Sequence, residues 1–342
     1  MQSDVEEVFG FKPRRVIVFA LGGGGDAASA YANMLWLRER GVESILAAVA
    51  WERFVIDPCP GPLRLEEFNS PAVRISPALL EARPGCSVTR GCSGALFSPQ
   101  VCRLASITGE NVYVVNVWRG SLGVAEALEE LAGLTGAEAV LAIDVGGDVL
   151  AEGYEYTLWS PLADSVALAG ILDSGLDGVI GVQSPGADGE LDTPEILERL
   201  SDAAAVGALR YARLVSRKEA ELIEALVARG FVTEAGLAQV MARHGVRGVF
   251  MLRGGTRRVG ITVLQAMVFY IDAERMEPLV PLARLARRTS SLEEARSRLN
   301  DACVFTELDL EEGLWHDMLT GRWRGPRIVR DEGRRWLRMF CV

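Results

Sequence analysis

The sequence predicts an α/β protein: a Rossmann-like three-layer fold with a mostly parallel sheet, a long loop-rich insertion and a helix-rich C-terminal half. Three observations lead there. Apolar runs and helical patterns alternate over residues 1–190, the signature of parallel strands joined by crossovers. The strand-like runs are continuously apolar, as strands buried on both faces must be. A glycine-rich turn joins the first such run to the first helical pattern, where a dinucleotide-binding fold places its ligand loop.

The elements follow in order. "RRVIVFAL" is the first strand. "AASAYANMLWLRERG" has helical spacing of apolar residues, with Gly41 as its stop. "ESILAAVAW" is the second strand, "NVYVVNVW" the third and "AEAVLAIDV" the fourth, with the helix "LGVAEALEELAGLTG" between the last two. "SPLADSVALAGILDSG" opens with Ser160 as an expected cap and Pro161 at the first helical position. "DGVIGVQ" is the fifth strand. Residues 53–110, rich in Pro, Gly, Cys and Ser, interrupt this series. A connection so long reads as a lid or binding loop, or as a small subdomain with a short helix near "SPALLEA".

Residues 191–342 form the second region, completing or flanking the core. "TPEILERLSDAAAVGALRYARLVSRKEAELIEALVARG" reads as almost wholly helical, and "VTEAGLAQVMARHGV" and "SLEEARSRLNDA" as two further helices. "RGVFMLRGG" looks like a strand, followed by a mixed segment through "MVFYID". The tail carries Trp315, Trp323 and Trp336 among arginines. Such a mixture can stack nucleic acid, but it more simply packs its tryptophans on the core.

Composition excludes several classes. A net charge of −10 over 342 residues argues against a general nucleic-acid or anionic-membrane binder. No apolar run reaches the ~18 residues of a membrane span, and "MQSDVEEVFG" carries no apolar signal region, so a cytoplasmic protein is expected. Lys12 and Lys218 are the only lysines. This arginine bias suits heat-stable ion-pair networks or GC-rich coding alike. The six cysteines lack metal-site spacing and read as buried thiols, with a disulfide among Cys86, Cys92 and Cys102 open in a heat-stable protein.

Two loops carry the chemistry. Gly22, Gly24 and Ala27 match the G-x-G-x-x-G/A spacing, with Gly23 and Gly25 completing the turn and Glu52 ending the next strand, where an acid meets a ribose hydroxyl. Asp26 opposes a bare phosphate there. It either caps the helix, grips a polar ligand group, or binds Mg²⁺ that bridges to a phosphate. After the fourth strand, "AIDVGGDVLAEGYEYTLWSPLADS" gathers Asp144, Asp148, Glu152, Glu155 and Asp164 around Gly146, Gly147 and Gly153. In the strand order 3-2-1-4 the two loops share one crevice. Asp148, Glu155 and Asp164 are therefore the candidate proton-transfer groups, with Asp148 and Asp164 as metal ligands. Ser160, Ser184, Asp188 and Arg119 are candidates for the ligand wall. "LRGGTRR" around Arg253 resembles an anion-binding turn or a tight hairpin.

"GGGGD", "WER" followed by "DPCPGP", and "DVGGD…EGYE…SPLAD" together resemble an archaeal family catalogued as domain of unknown function 1152. The resemblance spans most of the chain. It implies a cytoplasmic archaeal protein and assigns no catalytic residue. The residues themselves point to a small-molecule enzyme, a transferase or hydrolase. Its ligand would carry a phosphate or nucleotide, and its chemistry would be Mg²⁺-dependent phosphoryl transfer or hydrolysis. An NAD(P)-dependent oxidoreductase and a non-catalytic ligand-binding protein are the alternatives, and apolar C-terminal helices suggest a homodimer.

Overall fold

A computed structural model describes residues 3–341. Nine strands form one sheet: β1 (Arg15–Ala20), β2 (Glu43–Val49), β3 (Val73–Arg74), β4 (Leu79–Ala82), β5 (Val112–Val115), β6 (Ala139–Val145), β7 (Asp177–Gln183), β8 (Leu209–Leu214) and β9 (Met267–Asp272). Their spatial order is β8-β9-β7-β6-β1-β2-β5-β4-β3. The middle five, β7-β6-β1-β2-β5, are mutually parallel. The flanking strands pair antiparallel at both edges. The first and fourth parallel strands, β1 and β6, are neighbours, and the chain leaves them toward opposite halves of the sheet.

Burial on both faces explains the apolar runs. Along β1, Val16, Val18 and Ala20 face one hydrophobic layer and Ile17 and Phe19 the other. The first layer is covered by α1 (Ala27–Arg38), α2 (Gln100–Thr108), α6 (Arg217–Ala228) and α7 (Glu234–Arg243). The second is covered by α3 (Gly120–Thr135), α4 (Pro161–Ser174), α5 (Thr193–Ala205) and α8 (Leu292–Asp301). α9 (Glu307–Thr320) and α10 (Pro326–Arg338) close the C-terminal side. No helix among the described residues is long and apolar enough to cross a membrane.

Four expectations are corrected. The short helix near "SPALLEA" is the strand β4, which pairs with β5. Leu79 packs on one face of the sheet and Leu80 and Ala82 on the other, the period of a strand. The helical stretch after Leu191 is broken by β8, which completes the sheet against β9. The six cysteines are three disulfides, Cys59–Cys92, Cys86–Cys102 and Cys303–Cys341, instead of idle thiols. Trp323 and Trp336 do not pack away: they are 58% and 60% exposed.

Candidate functional site

The parallel strands β7, β6 and β1 bring their C-terminal turns to one edge of the sheet. Six carboxylates meet there. Asp26 comes from the turn after β1 and Asp144 from the end of β6. Asp148 lies just beyond Asp144, Asp164 one turn into α4, and Asp188 and Glu190 on the loop after β7. Oxygens of Asp26, Asp144 and Asp164 lie within 4.8 Å of one another, as do those of Asp148, Asp188 and Glu190. Asp26, Asp148, Asp164, Asp188 and Glu190 line a small inner chamber together with Gly22, Gly24, Gly25, Glu52 and Ser160.

Glycine permits this crowding at two points. A side chain on Gly22 would sit 2.7 Å from Asp26 Oδ2 and 3.0 Å from Asp164 Oδ1. One on Gly146, whose φ is +134°, would sit 2.3 Å from the Asp188 carboxylate. Both turns are thus shaped to let carboxylates close onto backbone.

Asp26 does not cap α1. Its Oδ2 accepts instead from the Gly22 N–H at 3.3 Å, so the side chain folds back over the glycine turn. Ser160 is not a cap either. Its N–H and hydroxyl donate to Glu190, at 2.8 and 2.7 Å. The start of α4 is held by Glu307 of α9, which accepts from the Leu162 and Ala163 N–H groups at 2.9 and 2.7 Å. Glu52 accepts from the Gln100 N–H at 2.6 Å and so anchors α2 as well as lining the chamber.

Burial dominates the electrostatics, with like-charge repulsion next. Together they hold Asp26, Asp148 and Asp164 well above the usual carboxylate range. Burial and neighbouring Asp188 push Asp144 up to about 7, and burial with Glu190 pushes Asp188 up to about 6. Burial also raises Glu52 to about 7 and Glu307 to about 8. Glu190 is the exception. Burial opposes its charge, but Arg257 and Arg253 outweigh it and hold Glu190 below its ordinary value. Arg253 Nη1 reaches Glu190 Oε1 at 3.1 Å. Its φ of +49° is a strained conformation for a side chain of this kind.

Two buried oxygens, Asp164 Oδ1 and Asp188 Oδ2, have no hydrogen-bond partner among the described residues. Their residues are 3% and 4% exposed. An orphaned buried acceptor costs about 1–3 kcal/mol, more when charged. There are two of them, one in each carboxylate triad, and each triad could hold a proton or a cation.

The family model described as "Protein of unknown function (DUF1152)" matches residues 17–315. The chain belongs to that family. No curated protein and no solved structure matches it. Every chamber carboxylate of this DUF1152 chain lies inside the matched span.

The remaining candidates fall elsewhere. Glu155 is not among the chamber residues; its two oxygens accept from the Glu152 and Gly153 N–H groups at 2.8 and 2.7 Å and so shape their own loop. Arg119 pairs with Glu126 on the surface. Ser184 is fully buried, and its hydroxyl donates to the Gln265 carbonyl at 2.7 Å. Gly147 packs against Ile196. Glu190 ends the "SPGADGE" loop, and nothing in that local pattern distinguishes it from a solvated acid. Glu307 carried no local signal, because only the folded chain brings α9 onto α4.

Proposed function

We propose that this protein is a divalent-cation-dependent enzyme acting on a phosphate-bearing small molecule, by hydrolysis or phosphoryl transfer. The observation that carries the reading is the pair of unpartnered buried oxygens, Asp164 Oδ1 and Asp188 Oδ2, each within a triad of converging carboxylates. An all-oxygen donor set suits Mg²⁺ or Mn²⁺ rather than a softer metal. The strand order, third-second-first-fourth-fifth across the parallel core, supports a Rossmann-like reading. In such sheets small ligands lie at this edge.

Bound cations would neutralise the phosphate oxygens and lower the pKa of attacking water. The chain's own groups divide the remaining work. Asp148 and Asp164 hold the cations, with Asp26, Asp144, Asp188 and Glu190 completing the two triads. Arg253, fixed beside Glu190, offers its guanidinium to the phosphate at the chamber mouth. In hydrolysis, water forms the new bond to phosphorus, the ester P–O bond breaks, and the leaving oxygen takes up the proton.

Hydride transfer on a dinucleotide has less support. The Asp26 carboxylate already occupies the Gly22 N–H that a pyrophosphate would need, and Glu52 is committed to α2. The test is release of inorganic phosphate from a panel of phosphate esters, with Mg²⁺ or Mn²⁺ and then with EDTA. Activity that survives EDTA, or an Asp148→Asn variant as active as wild type, would refute the reading.

A further inference from the structure

The inner chamber opens outward into a second cavity of about 470 Å³ that shares Glu52, Ser160, Glu190 and Arg253 with it. It keeps charged groups, among them Glu307, Glu311 and Arg257, but adds an apolar wall that the chamber lacks. Phe54, Trp159, Leu310, Leu314, Trp323 and Pro326 supply its apolar wall. Among its lining residues Val55 is 84% and Trp323 58% exposed, and half-buried Phe54 stacks on Trp323 with ring planes 19° apart. Large apolar side chains held at the rim of a charged cleft are costly unless something covers them.

The boundary between the two cavities carries both charges, Glu52, Glu190 and Glu234 beside Arg53 and Arg253. Arg253 spans it. Arg257 lies beside it, 5% exposed, its guanidinium 3.8 Å above the Trp159 ring. Its Nε has no hydrogen-bond partner among the described residues, although its Nη2 lies 3.9 Å from Glu190. A buried guanidinium N–H without an acceptor is satisfied when an anionic oxygen reaches it.

From this sequence of surfaces — acid-lined chamber, a boundary where Arg253 and Arg257 stand beside Glu190, and a vestibule with one apolar wall — we infer that the substrate is an amphiphilic phosphate ester. Its phosphate sits between the carboxylate-bound cations and Arg257, and its apolar organic group fills the vestibule against Trp323 and Phe54. A sugar phosphate or another wholly polar ester would leave that apolar wall wet. The inference rests on the cation-site reading of the chamber and adds the chemical class of the substrate.

The test is isothermal titration of the full chain in Mn²⁺ with four probes: 1-naphthyl phosphate, octyl phosphate, ribose 5-phosphate and inorganic phosphate. Naphthyl or octyl phosphate is expected to bind about ten-fold or more tightly than ribose 5-phosphate, from apolar area removed from water. A preference for naphthyl identifies a ring-bearing substrate, and a preference for octyl a chain-like one. Trp323→Ala and Phe54→Ala, on separate segments, are each expected to shrink the advantage several-fold. Equal binding of ribose 5-phosphate, or an advantage unchanged in both variants, overturns the inference. Mn²⁺ titrated alone separates the two claims. Without Mn²⁺ binding the chamber reading falls and takes this one with it; with Mn²⁺ binding but no apolar preference, only this one falls.

Discussion

At the residue scale, Asp164 and Asp188 are placed against their own stability. Each is buried among like charges with one oxygen unpaired, an arrangement that function explains better than folding does. Asp164→Asn removes a buried acid without changing shape. The variant is expected to melt a few degrees higher than wild type in EDTA, by differential scanning calorimetry. Its Mn²⁺ affinity should fall by more than about ten-fold. Gly146→Ala acts oppositely on stability. A methyl group at φ +134°, 2.3 Å from the Asp188 carboxylate, forces backbone strain of about 1–3 kcal/mol. It also displaces Asp188, so a urea melt should show lost stability and titration should show lost cation binding together.

At the element scale, the parallel core is readable because each strand is continuously apolar and each crossover helix is marked by its glycine stop. The convergence of Asp26, Asp148, Asp164 and Asp188 is readable for the same reason: they follow the ends of β1, β6 and β7. The edge strands are not. β8 ("LRYARL") carries two arginines and lies between two strongly helical segments, and only pairing with β9 makes it a strand. Glu307 holds the start of α4 from 145 residues away, a relation that local pattern cannot carry. β8 is secured by Arg213. This residue is 8% exposed and donates to Glu219 Oε1 at 2.7 Å and to Tyr270 at 2.7 Å. Arg213→Ala leaves Glu219 buried without its partner and is expected to lose about 3–5 kcal/mol in chemical denaturation. An unchanged midpoint would show that the pair does not secure this edge.

At the scale of the whole molecule, the buried acids set how stability answers to pH. Burial pushes Glu307 and Glu311 up to about 8 and Glu52 and Asp144 to about 7. Across the window from the ordinary carboxylate range to about pH 8, the folded chain then binds more protons than the unfolded one. Its stability is therefore full at the acid end and falls as pH rises. Glu190, held low by its arginines, opposes the trend but is outnumbered. The metal-free protein should melt at progressively lower temperature from pH 5 to pH 8. Mg²⁺ or Mn²⁺ should reverse the fall, by about 2.7 kcal/mol at a hundred times its dissociation constant. A melting temperature that rises over this range in EDTA would contradict the assignment of these raised groups.

On the proposed reading, the turns leaving β1, β6 and β7 build one cation-binding chamber. Anomalous diffraction from Mn²⁺-soaked crystals tests it most directly. A peak is expected between Asp26, Asp144 and Asp164, or between Asp148, Asp188 and Glu190, and none in crystals of Asp164→Asn combined with Asp188→Asn. Strong manganese peaks only elsewhere on the molecule, with the six carboxylates holding nothing, would contradict it.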